Sequence, residues 1–263
     1  MTTLSTYLSI SRDLPKWQGV QAKAPAVATA TKYYQAHIGE AKSGADLVRN
    51  PRLFDYAMKA FGLGDRLYAK GLMTRAMNEG VLASGALANK LGDPNVLAFV
   101  KAFDFKDKGA GAASTAAAVK NVVALYTENA LEADQGKQNE GVELALYFQR
   151  KAPAIKDAYA ILADKKLLSV VQTALGISPM TGLQQIDTQA AMLGAKVKIA
   201  DFQDAKKLQT FIARFAAMYD YANGASAAGA GASNAILLDA SQGASFATSD
   251  SGLLAKLQTY RAG

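Results

Sequence analysis

Residues 33–63 read YYQAHIGEAKSGADLVRNPRLFDYAMKAFGL, and residues 147–177 read YFQRKAPAIKDAYAILADKKLLSVVQTALGI, an ungapped second occurrence at an offset of 114. Six of the 31 positions are identical: Tyr33, Gln35, Lys42, Leu53, Ala60 and Gly62 return as Tyr147, Gln149, Lys156, Leu167, Ala174 and Gly176. Tyr34/Phe148, Leu47/Ile161, Val48/Leu162, Asn50/Asp164 and Leu63/Ile177 keep their chemical type. The kept positions are apolar or helix-capping, the ones that specify packing, so the stretch points to a duplicated fold and not to a duplicated reactive centre.

The punctuation of this stretch is helical. Asn50 is placed as an N-cap with Pro51 at the first helical position, where its missing N–H removes no bond. Leu53, Phe54, Ala57, Met58 and Phe61 then share one face, and Gly62 ends the helix. Outward from it, helices are expected over residues 25–39 and 43–49. Asp65 is expected to open a helix with Leu67, Tyr68, Leu72, Met73 and Met77 facing inward and Gly80 as its stop, followed by a short helix over 82–91. Asp93 and Pro94 repeat the cap-then-proline start ahead of Val96, Leu97, Val100, Phe103 and Phe105. In the second copy Ser114 is expected to cap a helix running to about Glu132, and residues 143–151 carry the next. Pro153 begins another, Asp164 caps the one ending at Gly176, and Ser178 with Pro179 repeats the start signal. The last helix, 204–221, returns Phe99, Val100 and Phe103 as Phe211, Ile212 and Phe215 at an offset of 112.

The expected fold is all-α, with two duplicated helical lobes between flexible N- and C-terminal segments. Residues 1–24 form an N-terminal arm carrying Leu4, Leu8, Leu14, Trp17 and Val20. Residues 25–110 form the first lobe, 111–222 the second as its repeat, and 223–263 a linker with a C-terminal helix. The boundary falls in 106–113, where Gly109 and Gly111 sit among small and charged residues. Residues 223–233 are Asn, Gly, Ala and Ser, a linker composition, and Leu253, Leu254, Leu257 and Tyr260 line a last helix about three turns long. Such ends hold together only when packed on something, which makes Leu4, Leu8, Trp17, Leu253, Leu254, Leu257 and Tyr260 the candidate interaction residues.

Composition narrows the chemistry. The 263 residues are 50% hydrophobic and contain no cysteine, which removes thiolate metal sites, disulfides and cysteine nucleophiles together. No apolar run approaches the roughly 20 residues a membrane span needs. The N-terminus has no basic residue before Arg12 and does not read as a secretory signal peptide. Export by a non-cleaved route stays open beside a cytoplasmic location. His37 is the only histidine and is expected on a helix surface, which excludes a histidine-based triad or metal site. The acidic group Glu128, Glu132, Asp134, Glu140 and Glu143 lacks calcium-loop spacing and reads as a solvated helix-loop-helix corner. Gly109–Gly111 and Gly229–Gly231 lack the remaining elements of a nucleotide fingerprint and read as linkers. No catalytic residue, cofactor or metal is expected. Of the net charge of +7, six belong to residues 1–110, with 15 Lys/Arg against 9 Asp/Glu. Those cations alternate with carboxylates, the pattern of an ordinary charged surface more than of a nucleic-acid face.

One set of strings is specific: STYL at 5–8, RLFDYAMKAFGL at 52–63, YAK at 68–70, AFVKAFDF at 98–105, NEGVELALYF at 139–148 and RKAP at 150–153. They resemble a bacterial family of unknown function whose genes often lie among flagellar genes, and the likeness runs over nearly the whole chain. It implies a flagellar context and no mechanism; joined to two helical lobes between terminal segments that hold only when packed on something, it leads to the expectation of a non-enzymatic helical protein of the flagellum, structural or concerned with assembly and export, with other flagellar proteins or further copies of itself as partners. It brings no catalytic or binding residues with it. The rival readings are a cytoplasmic chaperone or regulator of flagellar export, an enzyme with a site between the lobes, and a nucleic-acid binder acting through the basic first lobe.

Overall fold

The computed structural model describes residues 1–223, which form fifteen α-helices joined by turns and short 3-10 segments, with no strand among the described residues. The architecture is all-α. Side-chain caps set most of the helix starts, each supplying an oxygen to the unpaired N–H groups of a first turn. α1 (Thr3–Ser11) is capped by Thr2 and α2 (Leu14–Lys23) by Asp13. α3 (Pro25–His37), α4 (Gly44–Arg49) and α5 (Pro51–Ala60) follow, the last two capped by Ser43 and Asn50. α6 (Lys70–Glu79), α7 (Leu87–Lys90), α8 (Pro94–Ala102) and α9 (Phe105–Lys108) complete the first half, with Asp93 capping α8. α10 (Ala116–Gly136) is the longest element at 21 residues. α11 (Glu140–Lys151), α12 (Ala158–Leu162), α13 (Lys165–Leu175), α14 (Ile186–Lys196) and α15 (Ala205–Ala222) make up the rest.

The offset of 114 carries α3, α4 and α5 onto α11, α12 and α13, and the 3-10 turn Ile38–Glu40 onto Ala152–Ala154. Burial follows the same register: Tyr34, Leu47, Leu53, Ala57 and Ala60 are buried, and so are Phe148, Ile161, Leu167, Val171 and Ala174. Gly62 and Gly176 occupy equivalent helix ends at φ +73° and +63°, where a Cβ would be strained. Two apolar clusters result. One gathers Phe54, Phe61, Met73, Phe99 and Phe103, the other Phe148, Val171, Phe202, Ile212 and Phe215.

The chain does not divide between these clusters where the sequence suggested. Residues 1–223 form one compact unit. The arm at 1–24 is two packed helices, and α1 drives Leu4, Tyr7 and Ile10 into the second cluster, between α11 and α15. Its start is tied down by Thr3, whose N–H and Oγ1 donate to the Asp220 carboxylate. Gly141 permits this approach, since a Cβ there would lie 2.5 Å from the Tyr219 ring and 2.8 Å from Thr3 Oγ1. Conversely the first half of α10, assigned by sequence to the second lobe, lays Val119, Val122, Val123 and Tyr126 on the first cluster, while Leu131 in its second half reaches the other. The offset of 114 also carries residues 3–23 onto 117–137, so each copy's leading helix packs on the other copy's core, α10 doing so with its first half while its second half lies along α11. In the first copy that helix is broken, because Asp13 caps a new start and Pro15 lacks an N–H; Thr127 and Asn129 at the equivalent places let α10 run through.

Smaller corrections have local causes. Residues 64–66 form a 3-10 turn, α6 starts only at Lys70, and Tyr68 is 84% exposed with Leu72 also outside the core. Over 82–91 only Leu87–Lys90 is helical, and Leu82 is exposed. Thr115, not Ser114, caps α10, and Pro153 lies in a 3-10 turn ahead of α12. The linker and C-terminal helix expected beyond residue 223 lie outside the described residues.

Candidate functional site

Between the two halves lies a cleft of about 870 Å³, bounded by the end of α5, the start of α8, the second half of α10 and the start of α13. Tyr147 on α11, 2% exposed, lies in its wall, and its hydroxyl donates to the Asp164 carboxylate. Asp164 has a second duty, since its other oxygen caps α13 by accepting from the N–H groups of Lys166 and Leu167. Asn95, in the first turn of α8, donates its amide to Tyr147 Oη at 3.3 Å and accepts from Lys151 Nζ at 2.7 Å. A polar chain Lys151–Asn95–Tyr147–Asp164 therefore joins the two halves. Burial pushes the Tyr147 phenol far above its ordinary value, helped by the Asp164 carboxylate beside it. Burial pulls the Lys151 ammonium down, and the Arg150 charge next to it adds to the effect.

A second buried group stands one turn away. Arg150 donates Nε and Nη2 to the two oxygens of Glu132 at 2.7 and 2.8 Å, and Nη2 also reaches Asn129 Oδ1 at 3.3 Å. Asn129 in turn donates to the Ala60 carbonyl at the end of α5, which ties α10 to the first half. Burial raises the Glu132 carboxyl above the usual carboxylate range against the pull of Arg150. At the rim, Arg66 pairs with Asp93 and Lys166 with Glu143. Among the described residues no group of three or more His, Asp or Glu side chains is placed to hold a metal ion, and no helix is long and apolar enough to cross a membrane.

The sequence-level candidates do not meet here. Leu4 is buried in the second cluster, and Leu8 and Trp17 pack half-buried against it, so all three serve the fold. Leu253, Leu254, Leu257 and Tyr260 lie outside the described residues. His37 sits on the helix surface, with Nδ1 2.8 Å from Glu40 Oε1 and its ring 4.2 Å from that of Tyr33. The acidic corner is a correction: Glu132 is 5% exposed and engaged by Arg150, so only part of that group is solvated. Of the first-half cations, Arg49, Lys59, Arg66 and Arg75 each pair with a carboxylate of the same half. The cleft itself left one trace in the sequence, the Tyr147 and Asp164 matches of the repeat, but their neighbours Asn95 and Glu132 belong to other segments.

The X-ray crystal structure of protein AGR_C_984 from Agrobacterium tumefaciens is similar to this chain, with 38% identity and a TM-score of 0.78 over 84% of this chain and 94% of that one. No curated protein matches. The family model described as "Protein of unknown function (DUF1217)" matches residues 60–208, from the end of α5 into α15 and across the whole of the cleft's second-half wall. The chain belongs to this family, the protein of unknown function family DUF1217.

Proposed function

We propose that this chain is a non-enzymatic helical protein of the bacterial flagellar apparatus, a structural component or an assembly and export partner acting through protein–protein contacts. The observation that carries the non-enzymatic part is the pairing of the cleft's central ionisable groups, those away from the exposed Asp65 and Lys165, with one another: Tyr147 on Asp164, Arg150 on Glu132, Arg66 on Asp93, Lys166 on Glu143. A general acid or base must present a proton or lone pair to a substrate, and here those are engaged within the chain. The flagellar part is supported by the resemblance of the strings at 52–63, 98–105 and 139–148. Contacts with partners are supported by apolar surface. Met180, Leu183 and Ile186 are 69, 81 and 58% exposed in one short stretch, and Tyr68 and Leu72 are exposed at the matching turn of the first half.

Replacing Leu183 and Ile186 together by Ser tests this reading, since such exposed positions contribute within about 0.5 kcal/mol to stability. Motility and co-fractionation with basal bodies or sheared filaments are expected to be lost, with the circular dichroism spectrum unchanged. Normal motility of the double variant, with the protein confined to the cytoplasmic fraction, would favour the export chaperone or regulator instead.

A further inference from the structure

Apart from the interlobe cleft, a groove of about 610 Å³ runs between α3 and the start of α5. Pro25, Ala26, Ala30, Tyr33, Pro51 and Tyr56 make its lining largely apolar. At its edge the Arg52 guanidinium lies over the Tyr33 ring and forms no salt bridge among the described residues. The carboxylates around it are taken: Asp55 pairs with Lys59, Asp46 with Arg49 and Glu40 with His37. The groove therefore offers apolar walls and a cation without a counter-charge. A surface of matching character lies in the other half. Met180, Leu183 and Ile186 are exposed there, and the only charge in residues 176–190 is Asp187, in the first turn of α14. Its carboxylate accepts the hydroxyl of the half-exposed Tyr159 at 2.8 Å and forms no salt bridge among the described residues. Beside Tyr159, Lys156 and Asp157 cancel, so the patch carries a charge of −1.

The repeat supplies a precedent for bringing two such surfaces together. The offset of 114 carries Tyr33 and residues 49–52 onto Tyr147 and residues 163–166, which line the interlobe cleft from the second half. It carries Met180 back to Arg66, in the turn 62–66 that lines the same cleft from the first half. One copy's turn thus already stands against the other copy's tyrosine-and-cap face, a meeting of unlike surfaces. The remaining turn, with Met180, and the remaining face, with Tyr33, stay uncovered among the described residues. Unlike surfaces left open at the two ends of a molecule repeat the contact from one molecule to the next. We propose that the groove receives a second copy of this chain: Leu183 and Ile186 of one molecule enter the groove of the next, and Asp187 pairs with Arg52. A contact of this size is weak for a single pair and gains strength when repeated along an array. The inference rests on the reading of the Met180, Leu183 and Ile186 patch as a partner surface and adds which partner it takes.

Sedimentation velocity of the full-length protein at low salt, over a wide concentration range, tests it. Concentration-dependent oligomers are expected. Arg52→Asp and Asp187→Arg should each weaken association about tenfold or more by setting like charges opposite one another. An equimolar mixture of the two variants should recover it, because each then meets a complementary face on the other. The chain has no cysteine, so a tagged Thr29→Cys protein, altered in the groove, and an untagged Gln184→Cys protein, altered in the patch, should form a mixed disulfide faster than either forms one with itself. That measurement decides if a charge variant does not fold. A monomer at every concentration, association unmoved by both reversals, no recovery in the mixture of folded variants, or no preference for the mixed disulfide overturns the proposal. If the protein is monomeric and the Leu183→Ser, Ile186→Ser double variant still loses motility, the second copy is overturned and the partner reading stands. Association lost in that double variant with motility intact does the reverse.

Discussion

Tyr33 and Tyr147 hold the same place in the two copies, and each meets the cap of the helix that follows. In the first copy the Asn50 amide donates to Tyr33 Oη at 3.0 Å, and the Arg52 guanidinium lies 3.5 Å over the ring, half-open to solvent. In the second the cap has become Asp164, the cation Lys166, 5.1 Å from the ring, and the tyrosine is sealed beneath Asn95 and Lys151. Lys151 itself stands where the first copy has the surface residue His37, and the Arg150–Glu132 pair where it has Ala36 and Gln18. The duplicated scaffold is thus indifferent to these positions, and the chemistry changed where one copy came to lie against the other. A neutral cap suffices in water. A buried tyrosine hydroxyl gains more from a carboxylate acceptor, because a charge-assisted bond is worth more than a neutral one.

This contrast is open to direct measurement by urea unfolding. The largest effect is expected from Glu132→Ala, which leaves the Arg150 charge with only the 3.8 Å contact to Glu128 and should cost about 3 kcal/mol. Gln18→Ala at the matching place in the first copy should cost under about 1 kcal/mol. Equal losses in the two would remove the claim that the halves differ in this respect. The shared scaffold predicts the opposite pattern for Gly62→Ala and Gly176→Ala. Each forces a side chain into the left-handed region at about 1–2 kcal/mol, and a large inequality would show that the two helix ends are not equivalent after all. Removing the caps lies between these cases. Asn50→Ala should cost about 1 kcal/mol and Asp164→Ala about 2 kcal/mol or more, since the latter also loses the Tyr147 bond.

A further effect concerns alkaline pH. Burial pushes both Tyr7, in the second cluster, and Tyr56, in the first, up from 10.0 to about 12. Between those pH values the unfolded chain releases these protons and the folded one keeps them, so stability is intact below pH 10 and is lost as the pH rises towards 12. Tyr7→Phe and Tyr56→Phe should each flatten that decline. If only one does, the half containing it is the one that opens first.

Much of the helical framework could be read from residues alone. Asn50–Pro51 and Asp93–Pro94 start helices where expected, Gly62, Gly80 and Gly176 end them, and Leu47/Ile161 and Leu53/Leu167 are buried in register. These are local rules, in which the residue that causes the feature is the residue that shows it. The errors fall where local signals are silent. Tyr68 and Leu72 fit a helical stripe but lie outside the core, because the chain turns through Gly64–Arg66 before α6 begins. Thr3, Asn139 and Asp220 meet in space from three distant segments, and no spacing announces them. The exchange of α1 and α10 between the cores was equally hidden. Over 3–23 and 117–137 little beyond Leu8/Val122, Gln21/Gln135 and Lys23/Lys137 is held in common.

By itself the sequence determined the helices, their caps and the duplication, since hydrophobic periodicity and cap chemistry act over a few residues and need no partner to be read. Only the tertiary structure decided that each copy's leading helix reaches the other's core, that Tyr147, Asn95 and Lys151 form one polar chain, and that Arg150 and Glu132 meet in the interior. Those outcomes depend on which apolar faces bury each other, a choice made by the total area withdrawn from water and not by any one segment.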